Sequence, residues 1–134
     1  MSPLEIGMKA SRSKTISTED VETFARISGD HNPVHLDDQY AAGTRFGKRI
    51  AHGMLTASVI SALLASDFPG SIYLSQTLSF KSPVYLGDTV TAMAELTQFR
   101  ERIRVATFKT TCHNQDGQLV IEGEAVVLVP EEKA

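Results

Sequence analysis

Residues 28–36 read Ser28-Gly29-Asp30-His31-Asn32-Pro33-Val34-His35-Leu36, one carboxylate and two imidazoles crowded around a proline. Pro33 resists continuation of a helix, so residues 30–36 are expected to form an irregular loop. His35 can act as acid or base near neutral pH with little tuning. Asp30 directly follows Gly29, a residue suited to end a helix, and is expected near the negative end of a helix dipole. With partial burial added, that position disfavours the carboxylate anion and makes Asp30 a better base. Curvature at Pro33 would bring Asp30 and His35 together over one water. The same residues also admit a plainer role, with Asp30 and Asn32 as turn and cap residues and His35 as a partly exposed loop side chain.

A metal is the second chemistry to weigh. His31 and His35 stand four residues apart, with Asp30, Asp37 and His52 nearby. That spacing presents two imidazoles on one face only inside a helix, and Pro33 lies between them. No cysteine cluster or glutamate-bearing zinc motif accompanies them, so no metal is expected.

The tetrapeptide Ala51-His52-Gly53-Met54 opens the most apolar stretch of the chain. The first N–H groups of any helix lack intrahelical partners, and the aligned peptide dipoles place partial positive charge there. A glycine at that point leaves room for a ligand atom. Gly53 N–H is thus a fitting donor to a carbonyl whose negative charge grows during reaction. The alternative is a glycine N-cap with packing value only.

These groups must be held by the surrounding elements. A strand is expected over residues 10–16, then a helix announced by Ser17 with Asp20 three residues on, an arrangement like a capping box, and stopped by Gly29. A helical turn is expected near residues 38–42. Residues 53–65, apolar on nearly every side and studded with Ala57, Ser58, Ser61, Ala62 and Ala65, read as a buried helix wrapped on most sides. Four strands rich in Val, Ile, Thr, Phe and Tyr follow, over residues 71–80, 89–99, 104–113 and 119–129, with Asp116-Gly117 as a hairpin signal. This order predicts an α+β fold, an antiparallel sheet curled around one buried helix.

The whole chain bounds the possibilities further. Its 134 residues, 42% hydrophobic, suffice for one domain with its own core. Cys112 is the single cysteine, which rules out an internal disulfide and suits a reducing, cytoplasmic setting. Cys112 itself lies in a strand pattern and reads as a small buried hydrophobe. The net charge of -3 offers no cationic field for nucleic acid. Residues 1–16 lack the apolar stretch of a signal peptide, and residues 53–65 fall short of the ~20 needed to span a bilayer, so neither secretion nor a membrane anchor is expected.

The motif at residues 28–37, Ala51-His52-Gly53-Met54, Gly70-Ser71-Ile72-Tyr73 and residues 78–84 together make the chain resemble the MaoC-like, (R)-specific 2-enoyl-CoA hydratase family of hot-dog proteins. The resemblance spans nearly all of residues 1–134 and is similar in length and order to the small stand-alone bacterial hydratases linked to polyhydroxyalkanoate synthesis. It implies one hot-dog domain that dimerises with itself into a continuous sheet, with an acyl-CoA thioester bound near the interface. It also implies syn hydration of trans-2-enoyl-CoA to the (3R)-hydroxyacyl-CoA. By the same resemblance Asp30 and His35 form the catalytic pair that activates water, and Gly53 is the backbone donor to the thioester carbonyl. Asn32 supports the loop, and Ser61 lines the acyl pocket. No cofactor is implied beyond the CoA of the substrate.

Lys48, Arg49, Lys81, Arg100, Arg102 and Arg104 are the available cations for CoA phosphates, although the arginine run reads first as a solvated hairpin end. Tyr73, Phe80 and Tyr85 read as core or interface side chains. Ala57, Ser61 and Ala62 would leave room for an acyl chain while Met54, Leu63 and Leu64 fill it, favouring short to medium chains. A hot-dog thioesterase and a non-catalytic acyl-CoA-binding module are the competing readings, and an unusual branched or dicarboxylic substrate is the third.

Overall fold

A computed structural model describes residues 4–131. Strand β1 (Lys9–Thr15) leads into helix α1 (Thr18–Ser28), two short helices α2 (Pro33–Leu36) and α3 (Asp38–Ala42), and the long helix α4 (Gly53–Asp67). Strands β2 (Ile72–Gln76), β3 (Ser79–Phe80), β4 (Thr89–Arg100), β5 (Val105–His113) and β6 (Leu119–Leu128) complete it. They form one antiparallel sheet in the order β1-β4-β5-β6-β2, with β3 also paired to β6.

α1 begins and ends as its residues dictate. Ser17 Oγ accepts from Asp20 N–H while Asp20 accepts from Ser17 N–H, and Gly29 closes the helix in the left-handed region at φ 80°. β4 as far as Leu96 and β5 throughout alternate, turning Val90, Ala92, Ala94 and Leu96 and Ala106, Phe108 and Cys112 inward. The alanines let α4 lie close on β1, β4 and β5. Leu55, Val59, Ile60, Leu63 and Leu64 of α4 are buried in the same core, each worth about 1.5–3 kcal/mol over leaving it exposed.

Two expectations are corrected. Residues 30–36 are not wholly irregular, because Pro33 occupies the first position of α2. Its fixed φ suits that position and its missing N–H costs nothing there. Asn32 caps the turn by accepting from Val34 N–H at 3.2 Å. The strand expected over residues 71–80 is two strands with a bulge between Tyr73 and Ser75 and a break before Ser79. Thr77 crosses so close over Gly123 that a Cβ there would stand 1.8 Å from the Thr77 carbonyl oxygen. Thr77 N–H then donates to Glu124 O, and Glu124 N–H to Thr77 Oγ1. α4 is wrapped on most sides, as its composition implies, with Met54, Ser58, Ser61 and Ala65 leaving one narrow face exposed.

Candidate active site

Everything from Gly29 to His52 gathers at the start of α4. Ala51 N–H donates to Val84 O at 2.7 Å and Ile50 N–H to Val34 O at 3.3 Å, tying the segment to α2 and to the approach of β4. His52 is the N-cap residue of α4, and no side chain among the described residues caps this end. The first-turn N–H groups, Gly53 among them, are therefore not consumed by a cap. Phe80 sits against Gly53, where a Cβ would approach Phe80 Cε1 to 2.6 Å, so only glycine fits that contact undisturbed.

Asp30 is held by short-range bonds. Its N–H donates to Ser28 Oγ at 3.0 Å, and its Oδ1 accepts from Asn32 N–H at 3.2 Å. The residue is exposed, so the partial burial that would add to the helix-end effect is absent. His35 lies the other way, buried at 8% exposure rather than partly exposed. Its Nδ1 is 2.8 Å from Ile50 O. A carbonyl oxygen only accepts, so Nδ1 carries the hydrogen and Nε2 keeps a free lone pair. Burial pushes the His35 pKa below its ordinary value of 6.5, against the opposing hydrogen bond from Ile50, so the neutral base form is favoured at neutral pH.

A carboxylate oxygen of Asp30, a ring nitrogen of His35 and a ring nitrogen of His52 all lie within 4.8 Å of one another. That is the span a single water bridges, and the Asp30–His35 proximity expected from the loop is present. His31 is not a member of the group. The His35 and His52 rings stack, with centroids 4.0 Å apart and planes 32° from parallel. Imidazole lone pairs lie in the ring plane, so stacked rings direct theirs side by side rather than onto one ion. The arrangement suits a water better than a metal.

Asp30, His52, Gly53, Met54 and Phe80 share the wall of a cavity of about 460 Å³, with His35 packed against His52 beside it. The MaoC like domain family matches residues 2–116. An (R)-specific enoyl-CoA hydratase from Aeromonas caviae is 50% identical over 129 residues, 95% of this chain and 96% of that protein. A second, from Rhodospirillum rubrum, is 50% identical over 126 residues, 92% of this chain and 87% of its own length. The solved (R)-hydratase of A. caviae involved in PHA biosynthesis superposes with a TM-score of 0.92 at 49% identity, covering 97% of this chain and all of that one. The chain belongs to the MaoC-like family.

The MaoC-like hot-dog fold is thus the one the residues implied, with α4 as its central helix. Not every residue expected at its site is there. Ser61 lies exposed two turns along α4 from Gly53, outside the cavity wall of the single chain. Ala57, Leu63 and Leu64 are core residues, leaving Met54 as the one of the residues weighed for chain length that lines the cavity. Among the cations, Lys81 lines the wall and pairs with Glu122 at 3.5 Å. Arg49 instead serves the scaffold, its Nε donating to His35 O at 2.7 Å. Lys48 lies over the Tyr85 ring, 4.6 Å from its centroid, and Tyr85 Oη donates to Phe46 O.

Arg45 is a cavity cation that sequence reasoning missed, since residues 43–50 carry no periodicity to mark which side chains face inward. Arg100 and Arg102 at the β4–β5 turn are exposed, as the solvated reading expects, whereas Arg104 is half-buried, lying over the Phe99 ring and donating to Pro130 O. Cys112 is fully buried and its thiol is pushed up to about 12 by burial, which removes it as a nucleophile.

Proposed function

We infer that this protein is an (R)-specific enoyl-CoA hydratase, adding water reversibly across the C2=C3 bond of trans-2-enoyl-CoA. The observation that carries this is the placing of Asp30 and His35 within one water's reach of each other, beside the uncapped start of α4 at Gly53. Fifty per cent identity to named (R)-specific enoyl-CoA hydratases along nearly the whole chain supports it.

In this reading one water donates its hydrogens to the Asp30 carboxylate and to His35 Nε2. As the pair removes a proton, the water oxygen bonds to C3 and the C2=C3 electron pair moves through C2 onto the thioester oxygen. Gly53 N–H donates to that oxygen as its charge grows. The pair returns a proton to C2 on the same face, the enolate collapses, and the (3R)-hydroxyacyl-CoA leaves. Asn32 keeps the loop in shape through its cap and its N–H to Asp30. The steps need no metal or redox cofactor, because every charge is met by a proton donor or acceptor of the chain. Lys81 and Arg45 at the cavity wall are placed to meet anionic groups of CoA.

The active form is a homodimer. Edge strand β2 leaves Ile72 and Leu74 exposed at 59% and 54%, with Phe80 of β3 at 54% beside it. An exposed apolar edge of this kind is a template for pairing with another strand. A second copy pairing there extends the sheet and brings its surface next to Met54 and Phe80, which line the cavity. No helix among the described residues is long and apolar enough to cross a membrane. We assign the enzyme to the cytoplasm, supplying (3R)-hydroxyacyl groups for polyhydroxyalkanoate synthesis, a role supported by its likeness to the A. caviae hydratase involved in PHA biosynthesis.

Incubation with crotonyl-CoA tests the reaction. Hydration removes the enoyl absorbance without releasing thiol. Release of free CoA as the sole reaction assigns a thioesterase instead, and binding without turnover assigns a carrier module.

A further inference from the structure

His52 is a deeply buried polar side chain at the cavity, 1% exposed, and the reaction as derived gives it no step. Its Nε2 lies 3.0 Å from the backbone carbonyl oxygen of Asp30, so Nε2 carries a hydrogen and donates. Its Nδ1 is buried without a hydrogen-bond partner among the described residues. The ring packs against Phe24, with centroids 4.8 Å apart, and against His35. Through its backbone the same residue caps α4 and immediately precedes Gly53, its carbonyl accepting from Thr56 N–H at 3.2 Å.

We propose that His52 is a positioning residue that fixes Asp30, His35 and the Gly53 N–H relative to one another. Each contact removes a freedom the three groups otherwise keep. Asp30 is exposed, and its side-chain direction follows rotation about its own backbone, which the bond from His52 Nε2 to its carbonyl resists. His35 is held at Nδ1 by a single bond to Ile50 O, about which its ring can roll, and a stacked ring stops that roll. Gly53 is fixed because the ring of the residue before it is packed against both Phe24 and His35. One imidazole therefore ties the water-binding pair to the helix end that receives the carbonyl.

Packing alone does not account for a histidine here. A single neutral hydrogen bond has a small net worth, and a buried acceptor left unpaired costs as much or more. An apolar ring of similar shape would fill the space between Phe24 and His35 without orphaning Nδ1. What it would lose is the donor to Asp30, and placement errors of about 1 Å in reacting groups can cost about 100-fold in rate.

The inference rests on the catalytic roles of Asp30 and His35, and the test separates the two. His52→Phe, His52→Gln and His52→Asn are compared in the full chain by crotonyl-CoA hydration and thermal melting, with Asp30→Asn assayed in parallel. The Gln amide nitrogen reaches the position of Nε2, whereas that of Asn reaches only the position of Nδ1. His52→Phe is expected to melt within a few degrees of the parent and lose about 10- to 100-fold in kcat, with KM changed less than about threefold. His52→Gln should recover most of that kcat and His52→Asn should not. If His52→Phe fails to fold, the Gln and Asn variants alone decide. Equal kcat in those two, or parent kcat in His52→Phe, overturns the positioning role. An Asp30→Asn enzyme with full activity overturns the catalytic pair itself, whatever the His52 variants do.

Discussion

His35 can take a proton because burial and the Ile50 carbonyl act on it together. The carbonyl orients the ring with Nε2 free, and burial holds the pKa below 6.5 so that Nε2 stays unprotonated. Replacing either member of the pair leaves the fold standing, since Asp30 is exposed and neither side chain belongs to the apolar core. Asp30→Asn and His35→Ala are each expected to lower kcat by about 100- to 10,000-fold, measured by loss of enoyl absorbance, with melting curves close to the parent.

The same lowered pKa fixes the sign of a pH effect. As pH falls below 6.5 the unfolded chain binds the His35 proton before the folded one does, so this group's stabilising share is complete above 6.5 and declines below it. The base form in the folded enzyme is lost over the same acidic range, only later. The acid limb of kcat/KM should therefore lie below pH 6.5. The melting temperature of His35→Gln should fall less steeply than the parent's between pH 6.5 and 5; identical slopes would remove His35 as the group responsible. Both residues of the pair were legible in the sequence because type and spacing suffice to name a carboxylate and an imidazole around a proline. Their opposite burial was not, because it depends on Ile50 and His52 reaching back across more than a dozen residues.

Two glycines show how elements set the site, and they respond oppositely to one methyl group. At Gly123 the added Cβ would meet the Thr77 backbone, which cannot swing aside. Gly123→Ala is expected to cost about 3 kcal/mol or more, seen in denaturant melts, because the β2–β3 crossing must shift and carry Phe80 with it. At Gly53 the obstacle is the rim of a ring that is half exposed and free to turn. Alanine there also gains helix propensity, at most about 1 kcal/mol. Gly53→Ala should melt close to the parent. Its methyl and the displaced Phe80 ring would crowd the carbonyl site, pushing kcat down toward the ~100-fold cost of losing one such donor. The broken strand over residues 71–80 escaped the sequence because β-propensity runs unbroken through it, and the cause of the break lies in Gly123, far along the chain.

At the level of the whole molecule, the element order and the curled sheet were readable from the alternation of β4 and β5 and from the long apolar run of α4. α4 is apolar on nearly every side and is covered on most of them, yet one face, Met54, Ser58, Ser61 and Ala65, is left outside. A sequence cannot distinguish a helix enclosed by its own chain from one enclosed partly by a second copy. In the proposed homodimer the exposed face of α4 and the apolar edge of β2 would both be covered by the second copy. Ser61, outside the cavity of one chain, lies on that same face, where a partner would turn an open surface into a wall. A charge on the edge should then undo more than association. Leu74→Lys, at a site 54% exposed in the single chain, is expected to shift sedimentation from dimer to monomer. It should also raise KM for enoyl-CoA, because the groove loses its second side while Asp30, His35 and Gly53 stay in place. A parent enzyme that sediments as a fully active monomer would break the link between assembly and groove.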